Sequence, residues 1–238
     1  MAKARRGRNS LLLESARENR ILQALPRDEL AAMESDLTLV ECRAGQVLDS
    51  TPGEDRAYFP TSALLSPIAF LPDGHSIATR LVGPEGVAGL YAPAGREMGL
   101  NLITVCGGEA IELRREAFWR HVGQSAKLSR AVAGEMSRAV TAFVLLVACG
   151  HFHSLEQRGS RLLLNVFDHL GGGPIRISQQ VMADVLGVRR GSVTSMMNIL
   201  RTRRIVESRR NEVVVVDRPA LEQLSCDCYG MLGETPAR

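Results

Sequence analysis

The chain has no uninterrupted apolar run long enough to cross a bilayer. Spanning takes ~18 or more consecutive apolar residues, and the nearest candidate, "AVTAFVLLVAC" from Ala139 to Cys149, is fenced by Arg138 and His151. It predicts a buried helix and no membrane partner. A secretory core is missing too: Lys3, Arg5, Arg6 and Arg8 are followed only by Leu11 to Leu13 before Glu14, too short for a leader. The expected location is the cytoplasm. The five cysteines (Cys42, Cys106, Cys149, Cys226, Cys228) are odd in number and mostly scattered. That argues for reduced thiols rather than a disulfide frame.

Enzyme signatures are also scarce. No paired carboxylates or nucleophile motif appear, and "GPEGVAGL" lacks the Gly-Lys-Ser/Thr ending of a phosphate-binding loop. A cupin-like metal enzyme needs His-x-His and a following Glu on strands. "HFHSLE" offers His151, His153 and Glu156, but Glu156 is one residue too near and the segment opens a helix. Cys149 beside them makes a thiol–imidazole metal site conceivable, although histidines joining two helices are the ordinary reading. Cys226-x-Cys228 could be redox-active or bind metal; as a single pair near a terminus it is taken as structural. No catalytic residue, metal or cofactor is expected.

The last absence is lysine in the C-terminal third. Residues 151–238 hold 12 arginines, no lysine and 9 acids, whereas residues 1–150 hold 17 bases and 17 acids. The whole net charge of +3 therefore lies in the last third. Between Leu186 and Arg210 seven arginines face one acid, Glu207, which suggests a polyanionic partner.

What is present divides into three textures. Residues 1–20 are polar and basic and predict a partly disordered or weakly helical tail, followed by a short helix over Pro26 to Ser35. From Leu37 to Leu113 short apolar runs alternate with turn signals, including Asp73–Gly74 between "LLSPIAFLP" and "HSIATRLVG". This predicts hairpins in an antiparallel barrel or jelly roll. Ser125 to Cys149 then places Leu128, Val132, Met136, Val140, Phe143 and Val147 at helical spacing. Its second half is apolar nearly all round, so it predicts a long helix, closed by Gly150, that packs on its own domain and on a second copy. Ser154 and Gln157 have the capping-box spacing for another helix, ended by "GGG" and Pro174.

The most informative stretch is "MADVLGVRRGSVTSMMNILRTRR", Met182 to Arg204. Ser178 caps a helix over Gln179 to Leu186, and Gly187 supplies the positive φ of a tight turn. A second helix from about Arg189 to Thr202 buries Val193, Met196, Met197 and Leu200. Its other face carries Gly191, Ser195, Asn198 and Thr202. That is helix-turn-helix spacing, and the second helix would enter a DNA major groove. The DNA-binding set is Ser178, Arg189, Arg190, Gly191, Ser192, Ser195, Asn198, Arg201, Arg209 and Arg210. Arg190 fits a bidentate guanine contact, and Arg209–Arg210 would tip a wing hairpin ending in "EVVVVD".

"HSLEQR", "LGVRRGSVT", "VVDRPALE" and "CDCY" resemble one branch of the Crp/Fnr family of bacterial transcription regulators. The resemblance implies an α+β fold: an N-terminal antiparallel β-roll (jelly-roll, cNMP-binding-like), a long dimerisation helix and a C-terminal winged helix-turn-helix. The matching limits are 1–20 for the tail, 21–122 for the roll, 123–150 for the helix and 151–238 for the DNA-binding unit. It implies a cytoplasmic homodimer that binds double-stranded DNA at a palindromic site and works with RNA polymerase. Arg190 lies where the family's groove-reading arginine lies; Gly191 replaces its usual glutamate, and Ser195 lies where a second base-reading arginine often lies. Cyclic-nucleotide binders of the family pair a Gly-Glu-Leu turn with a later Arg-Ser/Thr. Here Val87 takes the acid's place and Met98–Gly99 the arginine's, with Glu85 and Arg96 out of register. The effector region is therefore Glu85, Gly86, Val87, Arg96 and Met98, and cyclic AMP is not expected. Neither is an iron–sulfur cluster, since only Cys42 precedes residue 100. Haem or another small effector stays open. The alternative is an effector-binding β-roll that signals through protein partners.

Overall fold

A computed structural model describes residues 12–48, 56–89 and 100–231. A short N-terminal helical region leads into two antiparallel sheets, then a long helix, then a helical unit with a two-stranded hairpin. The helices α1 (Arg20–Gln23) and α2 (Arg27–Met33) precede strands β1 (Thr38–Cys42) and β2 (Val47–Leu48). Then come β3 (Arg56–Pro60), β4 (Leu64–Phe70), β5 (Ser76–Ala78), β6 (Leu100–Cys106) and β7 (Gly108–Arg114). One sheet has the order β1-β7-β3 and the other β2-β6-β4-β5. This is the β-roll expected from the sequence.

The β4–β5 hairpin forms where Asp73–Gly74 predicts it, pairing Ile68 with Ala78 and Phe70 with Ser76. Gly74 has φ +84, and Asp73 Oδ1 accepts from the His75 N–H at 3.1 Å. Inside the roll, Tyr58, Leu65, Val82, Leu102 and Ala110 form one cluster. Leu64, Ile68, Ile103 and Val105 belong instead to the core of the C-terminal unit. The roll and that unit therefore share one apolar core.

The tail reading needs correction from residue 12 onward. Residues 12–16 are helical, and Ala16 is buried with Leu22, Phe59 and Phe118. Asn19 is fully buried with its hydrogen bonds met: Nδ2 donates to the carbonyls of Pro60 and Gly86 at 2.9 Å, and Oδ1 caps α1. Residues 1–11 lie outside the described residues.

After α3 (Arg115–Gln124), the long helix α4 spans Ala126–Phe152, and the Ser125 Oγ accepts from Leu128 N. Gly150 does not end it. A glycine inside a helix costs only about 1 kcal/mol relative to alanine, and α4 stops at extended His153, just before the Ser154–Gln157 capping box of α5 (Leu155–His169). Glu135 of α4 is buried in ion pairs with Arg80 of the roll and with Arg138. Nor is α4 a wholly buried helix. Its most apolar window has mean hydropathy 1.6 with 28% of it buried, so by length and composition alone it could cross a membrane. The exposed part is a stripe: Met136, Val140, Phe143, Val144 and Val147 are 37–74% exposed.

The remaining elements are α6 (Gln179–Leu186), α7 (Arg190–Thr202), the β8–β9 hairpin (Val206–Arg209, Glu212–Val215), α8 (Arg218–Leu224) and α9 (Cys228–Met231).

Candidate nucleic-acid interface

Helices α6 and α7 form because their apolar residues recur at helical spacing and their ends are capped. Ser178 Oγ accepts from Val181 N at 3.1 Å to start α6. Gly187 ends it in the left-handed region (φ +65, ψ +42), its N–H donating to Ala183 O. Between the helices Ala183 and Val193 are buried, as are Met196, Met197 and Leu200. One polar tie spans the crossing, Thr194 Oγ1 donating to Gln179 Oε1 at 2.8 Å, and Arg158 Nη1 of α5 holds the end of α6 by donating to Leu186 O at 3.1 Å.

Gly159 on α5 is a determinant the sequence reading missed. A β-carbon there would lie 2.0 Å from Met196 Sδ, so α7 packs where only glycine leaves room. A lone glycine inside a predicted helix was the available signal.

Arg189, Arg190, Gly191, Ser192, Ser195, Asn198 and Arg201 are all exposed, along with the hairpin residues Arg209 and Arg210. Arg189 is the N-cap residue of α7, one position before the helix expected from it. Ser195 Oγ donates to Gly191 O at 3.2 Å, and Arg201 Nη1 to Asn198 Oδ1 at 3.4 Å. The hairpin turns at Asn211 with φ +56. Arg190, Ser178 and Gln179 line one cleft of ≈ 430 Å³ together with Arg209, Arg210 and Asn211. The expected groove-facing and wing arginines thus share one surface. The partial positive charge of a helix N-terminus adds to it where Arg190 opens α7.

A Schellman closure ends α7, with Arg204 N–H donating to Arg201 O at 2.9 Å and Ile205 N–H to Leu200 O at 3.0 Å. The left-handed position, usually glycine, is Arg204 at φ +58. An arginine there accepts backbone strain in exchange for a cation.

The roll reaches this surface through its β4–β5 hairpin. Ser76 Oγ donates to Asp184 Oδ1 at 3.2 Å, and the hairpin tip, from Asp73 to Ser76, borders a depression that Arg189 and Arg190 also line.

Of the expected effector residues, Arg96 and Met98 lie outside the described residues. The other three are engaged by the chain itself. Gly86 O accepts from Asn19, and Val87 is buried among Leu22, Phe59 and Leu128. Glu85 Oε1 lies 3.5 Å from His169 Nε2 at the end of α5. Burial pushes the Glu85 carboxyl up, but His169 and the Gly83 N–H outweigh it and hold the group below its ordinary value.

Of the expected dimer residues, Leu128 and Val132 are buried in the chain's own core with Phe118. They pack inward because this first part of α4 lies over the roll, so they offer nothing to a second copy. Met136, Val140, Phe143 and Val147 remain exposed.

Residues 157–224 match the Crp-like helix-turn-helix domain family. No curated protein sequence matches the chain. Among solved structures it is similar to a protein of Eubacterium rectale assigned to the Crp/Fnr family, with TM-score 0.67 and 16% identity over 86% of this chain and 96% of that one. FixK2 of Bradyrhizobium japonicum gives 0.65 and 16%, over 80% and 98%. The c-di-GMP-responsive global regulator CLP of Xanthomonas campestris gives 0.61 and 16%, over 80% and 99%. The chain has the Crp/Fnr regulator fold. Its residues 157–224 are a Crp-like helix-turn-helix domain.

Proposed function

We propose that this chain is a cytoplasmic, homodimeric, sequence-specific transcription regulator, with α7 reading the major groove of a palindromic site. The observation that carries the reading is the single exposed cleft that joins Arg190 to Arg209 and Arg210 across the reading helix and the wing. Small exposed residues, Gly191, Ser192 and Ser195, let the α7 backbone approach base edges. Arg190 is suited to guanine through its planar fork, while Arg201, Arg209 and Arg210 suit phosphates. Two copies joined along the exposed stripe of α4 would present two reading helices to half-sites roughly 34 Å apart. RNA polymerase is the partner such a regulator would act on.

The roll is proposed to take no cyclic AMP, because Val87 is buried and Glu85 is paired with His169. Its Glu85–Val87 turn serves instead as a contact with the DNA-binding unit.

Fluorescence anisotropy with double-stranded DNA over a salt series tests the reading. Each neutralised phosphate releases counterions, so log K should fall linearly with log salt with a slope of about −0.9 per phosphate contact. Binding that ignores salt contradicts phosphate contact, and no binding to DNA at low salt would favour arginines docking an acidic protein partner.

A further inference from the structure

A cysteine and a histidine at the end of the long helix meet two cysteines from far along the chain. Cys149 and His153 are one turn apart at the end of α4, and Cys226 and Cys228 bracket the start of α9. The three thiol sulfurs and a His153 ring nitrogen all lie within 4.8 Å of one another. Cys149, Cys226 and Cys228 form a small buried cluster of their own.

We propose that Cys149, His153, Cys226 and Cys228 form a tetrahedral Cys3His site for one thiophilic divalent cation of the Zn²⁺ type. The spacing is the first argument. Zn–S bonds of about 2.3 Å and Zn–N bonds of about 2.0–2.1 Å give tetrahedral edges of about 3.8 Å between sulfurs and about 3.5 Å between sulfur and nitrogen. Cys149 Sγ lies 3.6 Å from Cys226 Sγ, and Cys228 Sγ lies 3.7 Å from His153 Nδ1. A disulfide would bring the sulfurs to about 2.05 Å. The pairs are spaced as ligands of a common centre.

The surroundings support the site as well. Tyr229, the residue after Cys228, is tied by its hydroxyl to Asp168, and Arg218 Nη2 donates to both, at 2.9 Å to Asp168 Oδ1 and 3.0 Å to Tyr229 Oη. The Cys226–Cys228 turn is thereby held against α5. Charge is the third argument. On binding, three thiols release their protons to solvent and neutral His153 ligates through Nδ1, with no electron transferred. The resulting centre carries one net negative charge. Burial pushes both the Cys226 and Cys228 thiols up, and the buried Arg161 guanidinium opposes that push. The ligands come from the end of α4 and from the C-terminal segment, so the ion would pin the joint between the long helix and the DNA-binding unit. This site does not depend on the DNA-binding reading.

Cobalt(II) titration of the full chain, purified under reducing conditions and stripped with chelator, tests the site. The expected result is thiolate-to-cobalt charge transfer with intense visible bands of tetrahedral Co²⁺, saturating at one ion per chain and displaced by Zn²⁺. A Cys42→Ser, Cys106→Ser double variant should keep the bands, since both residues lie in the roll. Cys226→Ser with Cys228→Ser should lose them. Cys228→His keeps a fourth ligand, so it should stay folded and bind, with charge transfer reduced in proportion to the thiolate lost. Two results would overturn the site: a folded, fully reduced wild-type chain without these bands, or bands that survive loss of both C-terminal cysteines.

Discussion

Ile77, on the β4–β5 hairpin of the roll, packs against Gly187, the glycine at the turn of the helix-turn-helix; a β-carbon on Gly187 would lie 3.2 Å from Ile77 Cδ1. The contact joins the roll to the reading unit at the point that sets the angle between its two helices. It also gives Gly187 two separate reasons to be glycine, one conformational and one steric.

Gly187→Ala should therefore lower stability by about 1–2 kcal/mol, the cost of a left-handed L-residue, with a further loss from crowding. Denaturant unfolding measures it. Adding Ile77→Ala should recover the crowding part and leave the backbone part. An unchanged midpoint in the single variant would show that the turn relaxes freely.

Arg204→Gly should move stability and binding in opposite directions. Glycine removes the left-handed strain at φ +58, so the unfolding free energy should rise by about 1 kcal/mol. The lost cation should weaken DNA binding at low salt and flatten its salt dependence. A destabilised variant would mean that the Arg204 side chain contributes more than its backbone costs.

Glu85 predicts a pH effect with a definite sign. Its folded value is depressed below the ordinary 4.5, so the stabilisation is complete above that value and is lost as pH falls through the lower folded one. Glu85→Gln should then cost stability at neutral pH and cost progressively less under acid. Unfolding curves of both proteins on each side of pH 4.5 check it. A difference that grows on acidification would contradict the Glu85–His169 pairing.

The exposed stripe on α4 is tested at Val140, which is 64% exposed. A glutamate there costs an isolated chain little but buries an unpaired charge in a helix pair. Val140→Glu should shift sedimentation from dimer toward monomer while the circular dichroism stays unchanged. A dimer of undiminished strength would remove this stripe from the interface.

Local pattern made much of this legible. The stripe of Val193, Met196, Met197 and Leu200 is buried as its i, i+3, i+4, i+7 spacing requires, and Ser178 and Gly187 cap α6 as their chemistry predicts. Asp73–Gly74 turns a hairpin because glycine supplies the positive φ. Contacts between elements were not legible. Leu128 and Val132 share the periodicity of Val140 and Val147, and only the roll lying over the start of α4 distinguishes them. Cys149 and Cys226 are 77 positions apart, and neither a C-x-C pair nor a Cys–His pair one turn apart carries weight until the fold joins them. The pairing of Glu85 with His169 depends in the same way on where α5 ends against the roll.

Selection of bound fragments from random double-stranded DNA, using the purified chain and its Arg190→Ala variant in parallel, tests DNA reading most directly. An enriched palindrome with half-sites one helical turn apart is the expected result. In the variant one base pair of each half-site should lose its preference, at a cost of about 1–3 kcal/mol. No enrichment by the wild-type chain, alone or with cell extract added to supply an effector, would contradict it.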